Sequence, residues 1–131
     1  METDARHILR RWAASLNDNR LDDLAALYAE DCTLLPTLSA GTCRTRTEAR
    51  AYFQSIMQEG LRVAVDEDSV MVTALGEGWQ LLSGHYTFRG DTDDAAVVYP
   101  ARFTFIINIE REHPILHHHS SQIARDIPGI P

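Results

Sequence analysis

The chain has 131 residues, 44% of them hydrophobic and 24% charged, with a formal charge of -7 at pH 7. That length fits one domain with a sizeable core, and the mixture is that of a folded protein rather than a disordered one. All 12 basic residues are Arg, which excludes lysine Schiff-base chemistry and the P-loop lysine, and the acidic balance opposes binding to nucleic acid, which needs clustered positive charge.

Met1-Glu2-Thr3-Asp4 carries no basic segment followed by an apolar run, so it does not read as a secretory signal. Uncharged stretches such as 95–101 fall far short of the ~20 apolar residues of a membrane helix. A cytoplasmic protein without membrane contact is expected, and with it free thiols at Cys32 and Cys43.

Behind the candidate caps Thr3 and Asp4, Ile8, Leu9, Trp12, Ala13 and Leu16 recur at helical spacing, and Asn17-Asp18-Asn19 ends that helix. Leu21, Leu24, Ala25 and Tyr28 continue the period into a second helix, expected to end near Glu30-Asp31. A brief strand over 32–36 and a polar loop over 37–43 follow. Thr45-Arg46-Thr47-Glu48 has the spacing of a capping box. It opens a helix whose stripe is Ala49, Tyr52, Phe53, Ile56 and Met57, with Gly60 closing it in the left-handed conformation.

From Leu61 the period changes to two. Four strands are predicted, over 61–75, 79–89, 96–110 and 115–123. The turns between them are Gly76-Glu77-Gly78, Gly90-Asp91-Thr92-Asp93-Asp94 and Arg111-Glu112-His113-Pro114. Links this short join antiparallel neighbours, so the strands form a meander. Gly84 and Pro100 interrupt two of the strands, as bends or bulges that curl a sheet do. The domain thus covers 1–123, and 124–131 form a tail or arm.

Leu27-Tyr28-Ala29-Glu30-Asp31, Leu34-Leu35-Pro36, Ala101-Arg102-Phe103 and Leu116-His117-His118-His119-Ser120-Ser121 resemble segments of the nuclear transport factor 2-like superfamily. Within it they are most similar to bacterial relatives of the calcium/calmodulin-dependent protein kinase II association domain and to SnoaL-like proteins. The resemblance implies a cone-shaped α+β fold in which a strongly curved antiparallel sheet packs on three helices. It also implies dimers or larger homo-oligomers built through the sheet, and a pocket at the wide end of the cone. Carried over by position, Arg102 and His117 or His119 lie near that pocket, with Tyr52 and Tyr86 as walls.

Alternation sets Phe103, Phe105, Ile107 and Ile109 on one face of their strand and Arg102, Thr104, Ile106 and Asn108 on the other. If the second face lines the cone, the Arg102 guanidinium needs a partner there. The alternatives are an internal carboxylate (Glu48, Asp31 or Glu67), an anionic ligand, or an exposed or intersubunit position. His117 and His119 share a face, and zinc would need a third ligand such as His85 or His113. Hydrogen-bonded histidines are the expected reading, with no metal and no cofactor. The apolar flanks Ile115-Leu116 and Ile123 mark the histidine run as a native strand.

The function expected is an oligomeric domain that holds a small carboxylate or amphipathic molecule in an Arg-containing pocket. Two alternatives stand beside it. One is a cofactor-independent isomerase or cyclase, with Asp31 or His119 as base and Tyr28, Tyr52 or Tyr86 as donor. The other is a pure assembly hub.

Overall fold

Asp4 stops the first helix from fraying: its carboxylate accepts the Arg6 backbone N–H at 2.9 Å, and α1 runs from there as Ala5–Asn17. The structure is a computed structural model, and it describes residues 4–91 and 96–131. The candidate cap Thr3 and the predicted turn from Thr92 onward lie outside the described residues. At the other end of α1 the Asn17 amide makes two hydrogen bonds with the backbone of Val63, at 2.8 and 2.9 Å, which fixes the helix end against a strand. A short α2, Leu21–Ala26, follows.

The second helix is shorter than predicted. Tyr28 already belongs to a strand, β1 (Tyr28–Leu35). The 37–43 loop turns back so that Leu34 and Cys43 exchange backbone hydrogen bonds of 2.8 Å. In α3, Arg46–Gln58, Thr45 Oγ1 accepts the Glu48 N–H at 3.1 Å. The Glu48 carboxylate reaches back one residue further than a capping box requires, to the Arg44 N–H at 2.8 Å. Gly60, at φ 72°, then turns the chain out of the helix.

The remaining chain forms β2 (Arg62–Gly76), β3 (Trp79–Asp91), β4 (Ala96–Asn108) and β5 (Ile115–Gln122). These four make the predicted antiparallel meander. β1 adds to its far edge in parallel with β5, giving one mixed sheet in the order β1-β5-β4-β3-β2. The fold is α+β, with a curved sheet packed on three helices, and the sheet does not close into a barrel. No helix among the described residues is long and apolar enough to cross a membrane.

Of the register shifts in the sheet, two bear on the core and the histidine run. In β2 the pairing jumps from Asp66–His85 to Met71–Ser83, so residues 67–70 stand opposite Gly84 alone. Gly84 keeps regular register with Phe103, as Pro100 does with Thr87. The predicted irregularity at Gly84 therefore belongs to its neighbour: a Cβ there would come within 3.0 Å of the Phe103 ring and Ser69 Oγ and 3.3 Å of Val70 Cα. The second bulge lies in β5, where Ile115 pairs with Ile107 and His117 with Ile106, leaving Leu116 as the extra residue.

The face of the sheet that carries Phe103, Phe105 and Ile107 is the buried one. It joins Leu82, Tyr86, Phe88 and Ala101 against α1 and α3. Trp12, fully buried, sits at the centre, stacked on Tyr86 at 5.3 Å and edge-on to Phe53 and Phe105. Each such side chain contributes about 1.5–3 kcal/mol by leaving water. This inverts the expected orientation of β4. The aromatic side chains are what the helices cover, because burying them releases the most water, and Arg102 is left exposed on the opposite face.

Candidate functional site

A cavity of about 1000 Å³ opens between α3, the 37–43 loop and the strand ends of β3, β4 and β5. Leu38, Ala51, Ile56, Leu61 and Val97 give it an apolar wall. Capping by Thr45 fixes the start of α3 and so presents Glu48, Tyr52, Ser55 and Glu59 along one strip of the helix toward the cavity. Tyr52 lines it. Its hydroxyl accepts the Leu38 N–H at 3.3 Å, and burial pushes the phenol up to about 12.

Thr37 connects this cavity to a chain of buried polar groups. Its hydroxyl meets that of Ser120, and the two stand beside the Tyr86 phenol and hold down part of the rise in its pKa. Tyr86 lies 3.0 Å from Nε2 of His118, whose Nδ1 lies 2.7 Å from the Tyr28 hydroxyl. Tyr28 in turn accepts from Trp12 Nε1 at 3.0 Å. An indole only donates, so Tyr28 spends its own hydrogen on Nδ1 of His118. The neutral ring then carries its hydrogen on Nε2 and donates to Tyr86, whose own hydrogen is free to turn toward the Ser120–Thr37 pair. Among the described residues no buried side-chain nitrogen or oxygen lacks a partner.

His118 stacks on Phe105 at 3.8 Å between ring centroids and is 2% exposed. Burial, followed by the neighbouring charges of His117 and His119, holds its pKa well below the usual imidazole range. Burial also raises Tyr28 and Tyr86 above the ordinary phenol value. These groups are uncharged at neutral pH.

Arg102, His117 and His119 do not line the cavity. Arg102 is exposed beside His85 and Ser121. His117 and His119 share its face: His117 is hydrogen-bonded through Nδ1 to Thr33 Oγ1 at 2.6 Å, and His119 is exposed. Burial and the nearby His119 lower the His117 pKa. Tyr86 is 1% exposed and lies behind Thr37 rather than in the wall. Asp31 and His85 are exposed, and His113 meets the Ala26 carbonyl at 2.5 Å. Among the described residues no group of three His, Cys, Asp or Glu side chains is placed to hold a metal.

The residue that alternation missed is His118. Counted from Ile115 with period two, His117 and His119 turn inward; the extra residue Leu116 shifts the phase and brings His118 in instead. Nothing in the run of three histidines marks that shift.

Residues 9–118 match the family described as SnoaL-like domain. The chain belongs to the SnoaL-like family. This SnoaL-like domain superposes on a Xanthomonas campestris protein named for the calcium/calmodulin-dependent protein kinase II association domain. That pair has a TM-score of 0.79 and 26% identity, over 98% of this chain and 91% of the other. An NTF2-like protein with a cystatin-like fold from Novosphingobium aromaticivorans gives 0.75 at 11% identity, over 92% and 80% of the two chains. A ketosteroid isomerase-like protein from Erwinia carotovora gives 0.73 at 11% identity, over 92% and 94%. The last two share the fold. No curated protein matches the chain.

Proposed function

We propose that this SnoaL-like domain binds a small, largely apolar molecule in the cavity beside Tyr52. The observation that carries this reading is the cavity itself: about 1000 Å³ of open volume with an aliphatic wall and a few convergent polar groups, beside a closely packed core. Arg102 lies on the other face, so the anionic ligand that an arginine would hold has no support in the cavity's lining. The test is native mass spectrometry of gently purified protein alongside thermal shift with ring-containing alcohols and ketones. Ala51 is exposed and lines the cavity, so an Ala51→Trp variant should fold, fill the space and lose both retained mass and stabilisation. Equal stabilisation of the two proteins would overturn the reading.

A second reading, an acid–base enzyme, is favoured by the hydroxyl chain that runs from Thr37 to the neutral His118. Such a chain gives a proton a route between the cavity and a group that is neutral at pH 7. Any conversion of the bound molecule should then be lost in Tyr86→Phe, which keeps the ring and removes the link. Conversion that survives that change, or no conversion by the wild type, leaves binding alone.

We also infer that the chain works as a homo-oligomer paired through the outer face of its sheet. That face carries Ile106 and Leu81 half-buried and Met71 65% exposed, next to Arg102, His85, His117 and His119.

A further inference from the structure

We propose that the cavity selects a molecule joining an apolar body to a protonated amine. The inference rests on the cavity being a ligand site and names the chemistry it takes. Among the described residues that line it, the charged side chains are Glu48 and Glu59, and no Arg or His is among them. The chain has no Lys to supply a cation, and its overall charge of -7 adds a field of the same sign as the two carboxylates. A ligand carboxylate entering here gives up water and meets only like charge, whereas an ammonium finds opposite charge.

The hydrogen-bonding groups agree with that sign. Glu48 in the first turn of α3 and Glu59, the residue that caps its end, both face the cavity about 16 Å apart at 1.5 Å per residue, with Tyr52 and Ser55 between them. An ammonium has three hydrogens to place and no acceptor of its own. The carboxylates, the two hydroxyls and the Gln122 side-chain carbonyl are all acceptors on the cavity wall. One Glu48 oxygen already accepts the Arg44 N–H at 2.8 Å, which holds the side chain in place and leaves the other oxygen to the ligand. Tyr52 and Tyr99 add aromatic rings, and the negative quadrupole of a ring face attracts a cation and resists an anion. The aliphatic wall of Leu38, Ile56, Leu61 and Val97 takes the apolar body.

The probes are three molecules with one skeleton: naphthalen-2-ylmethylamine, naphthalen-2-ylmethanol and 2-naphthoate, titrated calorimetrically at pH 7.5 and low salt into the wild type, Glu48→Gln/Glu59→Gln and Ala51→Trp. The amine is expected to bind about tenfold tighter than the alcohol, a preference of the size that a close charge and an aromatic face supply, and the naphthoate weakest. In the Glu48→Gln/Glu59→Gln protein the amine should fall to the level of the alcohol, while the alcohol is unchanged. Gln keeps the oxygen that accepts from Arg44, so the helix start is preserved. Naphthoate binding as tightly as the amine, or an amine preference that survives the double substitution, overturns the charge selection but leaves the cavity as a ligand site. Binding of the probes that Ala51→Trp leaves untouched, or no binding of any of the three to the wild type, overturns both.

Discussion

Tyr28 and His118 are 90 residues apart in sequence and share a buried hydrogen bond of 2.7 Å. The bond ties the first strand to the last, and the fixed donor at Trp12 gives it a direction. Removing the Tyr28 hydroxyl leaves both the Trp12 N–H and Nδ1 of His118 without a partner in the core. A buried polar atom stranded in this way costs about 1–3 kcal/mol. Tyr28→Phe is expected to lower the free energy of unfolding by that amount in urea, with an unchanged dependence on denaturant. The nitrogen chemical shifts of His118 in the wild type should report hydrogen on Nε2 and none on Nδ1; the opposite tautomer would reverse the chain of donors drawn above.

Neutral His118 also sets the acid limb of stability. Its folded-state pKa is depressed by burial, then by His117 and His119, so below the unfolded value of about 6.5 the unfolded chain takes up a proton that the folded one refuses. The stability it contributes is complete above about pH 6.5 and is lost as the pH falls from there toward the folded-state value, at up to about 1.4 kcal/mol per pH unit. Urea unfolding at pH 7.5 and pH 5 should show this loss in the wild type. His118→Gln, less stable at pH 7.5, should lose distinctly less between the two. A parallel loss in both proteins would assign the acid limb to other groups.

Gly84 tests the β2 bulge. The backbone of Val70 lies 3.3 Å from where a Cβ would stand, and backbone cannot rotate away as the Ser69 hydroxyl can. Gly84→Ala should destabilise and Gly84→Val more so, by about 1–3 kcal/mol, the usual cost of overpacking a filled site. Thermal unfolding with the two variants side by side checks the order. A neutral valine would mean that residues 67–70 lift off β3 freely.

The period-two strands after Leu61 and the capping box at Thr45 were legible because their signals are local. The helix predicted through Asp31 and the inward turn expected of His117 and His119 were not, because a strand residue can continue a helical period and a bulge can reverse a strand's faces. Tyr28 follows Leu21, Leu24 and Ala25 at helical spacing, yet the chain has already passed from α2, which ends at Ala26, into β1. In β5 the extra Leu116 reverses which histidine faces in. Arg102 was misplaced for a different reason: alternation divides a strand into two faces without saying which one the helices cover. The burial of Phe103 and Phe105 under Trp12 decides that, and it is a tertiary fact.

Arg102 lies on the outer face, through which the chain is proposed to pair. Ile106 stands in mid-sheet between Leu81 on β3 and His117 on β5, with Arg102 further along its own strand. A charge at Ile106 would be desolvated if a second copy covers this face and hydrated if none does, so the cost of Ile106→Asp separates the two cases. Light scattering during gel filtration is expected to give the wild type at least twice the 14.7 kDa of one chain. Ile106→Asp should run as a folded monomer, with Arg102→Glu shifted the same way less completely. The cavity lies on the other face of the sheet, so the stabilisation of Ile106→Asp by cavity ligands should persist. A wild type that elutes as a monomer at tens of micromolar, or an Ile106→Asp protein that stays assembled, would remove the outer face as the site of pairing.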